Sequence, residues 1–130
     1  SCATSVLLTD YDEAVLQFAR EGAAVNGVSH SVTATRLDWS KSDLPEGAPF
    51  DVVLAADVLY AAKNALHIAK LLPALLSPGG RCLIADQTQW PWRTTFQAAC
   101  AEGGLVVEDM KLPAPEDVRL LTIARVADLE

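Results

Sequence analysis

The stretch Phe50–Tyr60, FDVVLAADVLY, limits the fold more than any other part of this chain. Its apolar run carries a single charge, Asp51, at the entrance and shows no alternation of polar and apolar residues. That pattern predicts a strand covered on both faces, in the middle of a parallel sheet. Asp57 and Tyr60 then fall where such a strand ends. In open α/β sheets, ligands bind in the crevice beyond the carboxyl ends of the strands. A carboxylate and a phenol delivered there are placed for chemistry rather than for packing.

The flanking sequence alternates strands and helices. Val6–Leu8 makes a short strand running into Thr9, Asp10, Tyr11 and Asp12. Asp12 suits the N-cap of a helix with apolar residues at Val15, Phe18, Ala19 and Ala23, and Asn26-Gly27 ends it. A strand is expected at about Val32–Trp39, followed by a loop over Lys41–Pro49. After the central strand comes a helix at about Lys63–Leu76, whose last turn Pro73 should kink or break. Ser77-Pro78-Gly79-Gly80 reads as a turn and Arg81–Asp86 as a strand. Pro91 suits the first turn of a further helix, closed by Gly103-Gly104. Strands at Leu105–Leu112 and Val118–Val126 finish the chain. This order predicts an α/β sandwich with a mainly parallel sheet and an antiparallel C-terminal edge, as one domain in 130 residues.

Composition narrows the partners. A hydrophobic share of 51% supplies a sizeable core. The formal charge of −7, with no basic cluster, repels phosphate backbones, so nucleic acid is not expected and a basic peptide or protein fits better. No apolar run reaches the length of a membrane span, and no basic segment followed by an apolar one marks a secretion signal. Cys2, Cys82 and Cys100 show no paired spacing, and Cys82 reads as an ordinary buried thiol. A cytoplasmic location is therefore expected, with the nucleus as the alternative. His30 and His67 stand apart from any carboxylate or cysteine at metal-ligand spacing.

Three short motifs occur in order: LTDY (Leu8–Tyr11), LDW (Leu37–Trp39) and ADVLY (Ala56–Tyr60), with an LSPGG turn at Leu76–Gly80. Together they resemble the class I (seven-β-strand) S-adenosylmethionine-dependent methyltransferases. Within that class the chain is most similar to the protein-lysine methyltransferase family that carries Asp-x-x-Tyr after its fourth strand. The resemblance runs from Val6 onward. It implies a Rossmann-like sandwich, S-adenosylmethionine as cofactor, and methyl transfer to the amine of a protein lysine. One departure stands out. The family's first strand and Gly-rich loop have no counterpart here, so the resemblance implies an N-terminally truncated version of that domain. The family's first strand lies between its second and fourth. No ladder is therefore expected between Val6–Thr9 and Asp51–Ala56.

The resemblance assigns roles, each with a plainer alternative. Asp10 would accept hydrogen bonds from both ribose hydroxyls, as a carboxylate can, or would simply shape the turn before a helix. Asp38 and Trp39 would bracket the adenine, or Trp39 would pack a sheet edge. Ala56 is small where adenosine approaches the strand end, or is an ordinary core alanine. Asp57 would orient the acceptor amine and the Tyr60 ring would lie against a cationic group, or the two would cap and pack a helix. Deprotonating a lysine of pKa about 10.4 at neutral pH costs about 4–5 kcal/mol, which partial desolvation of the amine reduces. Trp90, Pro91 and Trp92 would line a substrate entrance or pack on their own domain.

Two other functions compete. One is a small-molecule N-methyltransferase. The other is a non-catalytic methyltransferase-like binding module, favoured by the missing Gly-rich loop and opposed by the presence of Asp10, Asp38, Trp39, Asp57 and Tyr60. Nicotinamide-dinucleotide binding would require a glycine fingerprint that the sequence lacks.

Overall fold

The structure is a computed structural model that describes residues 3–130, so the reading of Cys2 lies outside the described residues. The chain divides into two compact units, up to Lys41 and from Ser42 onward.

The first unit holds β1 (Val6–Asp10), α1 (Glu13–Val25) and β2 (Val32–Arg36). β1 and β2 run parallel, with Val6 opposite Val32 and Asp10 opposite Arg36. Asp12 caps α1 by accepting from the Ala14 amide at 2.8 Å, and Gly27 leaves the helix at φ 69°. The inward line of α1 runs through the buried Leu16 and Ala23 with half-buried Ala19 between them, while Val15 and Phe18 point outward, Phe18 at 75% exposure. The periodicity is helical as expected, but the inward stripe is the one that sets small side chains against β1 and β2. β2 ends at Arg36 rather than Trp39 because its partner runs out. The Leu37 amide makes the last bond, to the Asp10 carbonyl at 3.0 Å.

The second unit holds β3 (Phe50–Ala56), α2 (Ala62–Leu75), β4 (Leu76–Gln87), α3 (Arg93–Glu102), β5 (Leu105–Lys111) and β6 (Val118–Arg125), then a short 3₁₀ turn over Val126–Leu129. Its sheet has the order β3-β4-β6-β5, with β3 and β4 parallel and the other two ladders antiparallel. This is the mixed α/β sheet with an antiparallel C-terminal edge. Register places Val53, Cys82, Ile123 and Val107 in one row, and Ala55, Ile84, Leu121 and Asp109 in the next. α2 and α3 pack on each other and on the sheet, burying Leu72, Phe96 and Cys100 with Cys82, Ile84, Leu121 and Ile123. Burial pushes the Cys82 and Cys100 thiols up to about 12.

β3 departs from expectation. It is an edge strand of its sheet, and Val52 and Leu54 are 59% and 72% exposed. The helices of this unit cover one face, so alternate residues of β3 look out. Among the described residues no ladder joins β1 to β3; each belongs to its own sheet.

The Ser77–Gly80 turn survives as an excursion inside β4. Phe50 faces Leu76 and Val52 faces Arg81, so the four residues between oppose Asp51 alone. A Cβ on Gly80 would lie 2.8 Å from the Ser77 carbonyl oxygen and 3.0 Å from that of Phe50, closer than a side chain tolerates. Pro91 lies in the turn ahead of α3, not in its first helical turn, because Trp92 takes the N-cap position.

α2 reaches Leu75, two residues past Pro73, with no basic residue in its last turn. Its terminal carbonyls are met from β6. Arg125 donates from Nη2 to the carbonyls of Pro73 (2.5 Å) and Leu76 (2.6 Å), and from Nη1 to that of Ser77 (2.9 Å). Helix ends need such partners. Arg125→Met should keep the aliphatic packing and strand three carbonyls, lowering stability in urea unfolding by about 1–3 kcal/mol. A loss near zero would mean that water serves those carbonyls equally well.

Candidate functional site

The second unit gathers its polar groups beyond the carboxyl ends of β3 and β4. Asp57 follows β3 with φ 53°, a left-handed conformation that a residue with a side chain adopts at a cost. Its amide donates to the Ala85 carbonyl at 2.8 Å, carrying the β3–β4 ladder one step further before the chain turns. The carboxylate is held on both sides. Trp90 Nε1 donates to Oδ1 at 2.8 Å and Gln87 Nε2 donates to Oδ2 at 2.9 Å. Gln89 Nε2 in turn donates to Gln87 Oε1 at 2.6 Å.

Leu59 is fully buried and anchors the segment, while Tyr60 is 52% exposed. The N-cap of α2 is Ala61, with no side-chain cap bond, so Asp57 does not cap this helix. Ala56 ends β3 opposite Ala85 and is exposed. Trp90 and Trp92 are both half-buried, but only the Trp90 indole reaches Asp57.

Beneath this segment lies a guanidinium absent from the sequence reading. Arg93 Nη1 donates to the carbonyls of Gln87 (3.0 Å) and Trp90 (2.9 Å), Nη2 to that of Thr88 (3.3 Å), and Nη1 pairs with Asp86 at 3.0 Å. Asp86 is buried, and burial pushes its carboxyl above the usual range; Arg93 pulls the other way, and the nearby Asp57 charge adds to the rise. Asp86 Oδ1 has no hydrogen-bond partner among the described residues. Asp109 lies 3.9 Å from Arg93 Nε and pairs with Arg119 at 2.5 Å. The polar run Asp86-Gln87-Thr88-Gln89 at a strand end was the available signal for this cluster. Its pairing with Asp57, some thirty residues away, was not visible.

The first unit carries the other candidates past the ends of its two strands. Asp10 is half-buried; its Oδ1 accepts from the Asp12 amide at 2.9 Å, and Oδ2 makes no bond among the described residues. Asp10 therefore does shape the turn, with one oxygen to spare. Arg36 lies over the Tyr11 ring at 4.4 Å and donates to the Tyr11 carbonyl at 3.0 Å, fixing the chain just after Asp10. Asp38 Oδ1 accepts from the Ser40 hydroxyl (2.6 Å) and amide (2.9 Å), and these bonds hold its carboxyl below the usual range. Trp39 is half-buried in the same turn. Among the described residues, no group of three or more His, Cys, Asp or Glu side chains is arranged to hold a metal, and no helix is long and apolar enough to cross a membrane.

Comparison with known proteins agrees with this architecture. Residues 2–100 match the family model described as lysine methyltransferase. No curated protein matches. Among solved structures, the fold is similar to a TehB-like SAM-dependent methyltransferase from Corynebacterium glutamicum, with TM-score 0.72, 17% identity and coverage of 93% of this chain and 68% of that one. It is also similar to the CcbJ methyltransferase from Streptomyces caelestis (TM-score 0.76, 13% identity, 93% of this chain and 74% of that one). A third likeness is to an O-methyltransferase family protein from Burkholderia thailandensis (0.78, 18%, 93% and 43%). At these identities the likeness speaks for the fold alone.

The left-handed backbone at Asp57 yields a prediction that separates strain from side-chain loss. Asp57→Gly and Asp57→Ala delete the same carboxylate, yet glycine fits φ 53° and alanine does not. The glycine variant should be the more stable by about 1 kcal/mol in thermal or urea unfolding. Equal stabilities would show that the loop relaxes and stores no strain.

Proposed function

The chain belongs to the lysine methyltransferase family, within the S-adenosylmethionine-dependent class I methyltransferases, and from that premise we propose that it methylates the side-chain amine of a protein lysine. The observation that carries the proposal is the pair Asp57 and Tyr60. They stand at a strand's carboxyl end with neither side chain spent on capping or core packing. In this reading the two units are parts of a single methyltransferase domain.

The residues fit the cofactor in chemical type. Asp10 keeps an unengaged carboxylate oxygen beyond β1, suited to ribose hydroxyl donors. Asp38 has one oxygen committed to Ser40, leaving the other for the exocyclic amine of adenine, and the Trp39 ring offers a flat face. Ala56 places no bulk at the end of β3. Bound S-adenosylmethionine would supply an electrophilic methyl group, which an amine would take by direct displacement as the methyl–sulfur bond breaks and the sulfur leaves as a neutral thioether. Asp57 binds and orients the incoming amine by accepting a hydrogen bond from one of its N–H groups, which leaves the nitrogen lone pair free for transfer. The half-exposed Tyr60 ring flanks the cationic head group on its way in. The amine's proton leaves to solvent. The net charge of −7 favours a basic protein as substrate.

The proposal is tested by incubating the full-length protein with methyl-labelled S-adenosylmethionine and a hypomethylated protein extract, then hydrolysing the products to amino acids. Label in Nε-methyllysine is expected. Label confined to small amines would replace the protein substrate by a small-molecule one, and absence of transfer would favour a non-catalytic binding module. Asp10→Ala should weaken cofactor binding in calorimetry by about 1–3 kcal/mol, the scale of losing a charge-assisted hydrogen bond. Unchanged affinity would remove Asp10 from the ribose role.

A further inference from the structure

The Asp57 carboxylate is gripped by two donors, and both are neutral. The Trp90 indole holds Oδ1 and the Gln87 amide holds Oδ2, while the salt bridges among the described residues involve other carboxylates. We infer that Gln87 and Trp90 are positioning residues of the methyl-transfer site, a clamp that fixes the plane of the Asp57 carboxylate while leaving its charge for the acceptor amine. The inference rests on the acceptor role proposed for Asp57.

Three features make the clamp rigid. An indole has a single donor and no acceptor, so Trp90 can hold Oδ1 in one sense only. The Gln87 amide is oriented from its far side, because Gln89 donates to Oε1 and turns Nε2 toward Asp57. Arg93 ties down the carbonyls of Gln87, Thr88 and Trp90, fixing the backbone that carries both donors. On the other side of the clamp, the Asp57 backbone is pinned by its bond to Ala85.

Chemistry explains why neutral donors are used. Each carboxylate oxygen has two lone pairs. One donor on each therefore leaves capacity for a substrate N–H and sets the direction from which it must come. A lysine or arginine in place of Gln87 would orient the carboxylate equally well but cancel its charge. It would also repel a cationic head group arriving at the same oxygen. The segment thus keeps its cation, Arg93, on the buried Asp86 and presents only uncharged N–H groups to Asp57.

Five variants test the clamp: Trp90→Phe, Gln87→Leu, Gln87→Lys and, in parallel, Asp57→Asn and Asp57→Ala. Initial rates of labelled Nε-methyllysine formation in the protein extract are compared with cofactor binding by calorimetry. Trp90→Phe and Gln87→Leu should each lower the rate roughly 10- to 100-fold while cofactor affinity stays within about two-fold, the pattern of lost orientation. Gln87→Lys keeps a donor at Oδ2 and should fall at least as far as Gln87→Leu; wild-type rate in the lysine variant would overturn the charge argument. In the protein without substrate, the Trp90 indole N–H signal, identified by its loss in Trp90→Phe, should shift and exchange faster with solvent in Asp57→Ala. No change there would overturn the clamp. Wild-type rates in Trp90→Phe and Gln87→Leu beside a defective Asp57→Asn would overturn it too, leaving the role of Asp57 standing. An Asp57→Asn variant as active as wild type would remove that role and the clamp with it.

Discussion

The guanidinium of Arg93 gathers the carbonyls of Gln87, Thr88 and Trp90 around the buried carboxylate of Asp86, and the carboxyl end of β4 depends on that arrangement. Removing Asp86 from water disfavours its charge, and a single ion pair only partly offsets this. The pair is better understood as a fastening than as a source of net stability. It fixes one loop conformation among many, and that loop delivers the Gln87 and Trp90 donors to Asp57.

The opposite end of β4 is fastened by similar means. Arg125, reaching from β6, collects the carbonyls that α2 leaves at its end together with that of Ser77. Two arginines thus secure the long strand that joins β3 to the antiparallel edge. In both places planar guanidinium forks meet several backbone oxygens at once, which a lysine's point charge does less well.

These fastenings sit around a strained position. Asp57 takes a left-handed backbone directly after a strand whose last residues are alanines, and it spends its side chain on two uncharged donors. Strain of this kind persists only where the surroundings over-determine it. The ladder bond to Ala85, the buried Leu59 and the clamped carboxylate supply that determination. Such a frame holds the Asp57 carboxylate in one direction.

By itself the sequence determined the order of strands and helices, the helix ends at Asp12 and Gly27, the antiparallel C-terminal edge and the family, because these depend on local periodicity, capping residues and short motifs. Asp10, Asp38, Trp39, Ala56, Asp57 and Tyr60 became candidates through the resemblance that those motifs carry, with Asp57 and Tyr60 also placed by the strand they follow. Only the tertiary structure decided which face of α1 turned inward, since Val15–Phe18 and Leu16–Ala19 obey the same period and packing chose the smaller pair. It also set β3 at the edge of its sheet, where an apolar run alone could not say how many faces a neighbour would cover. The partners of Asp57 were beyond reach of the sequence altogether. Gln87 and Trp90 lie about thirty residues away, and no spacing rule links a strand's end to the loop after the next strand. That link exists because β3 and β4 pair in parallel register, bringing their carboxyl ends together.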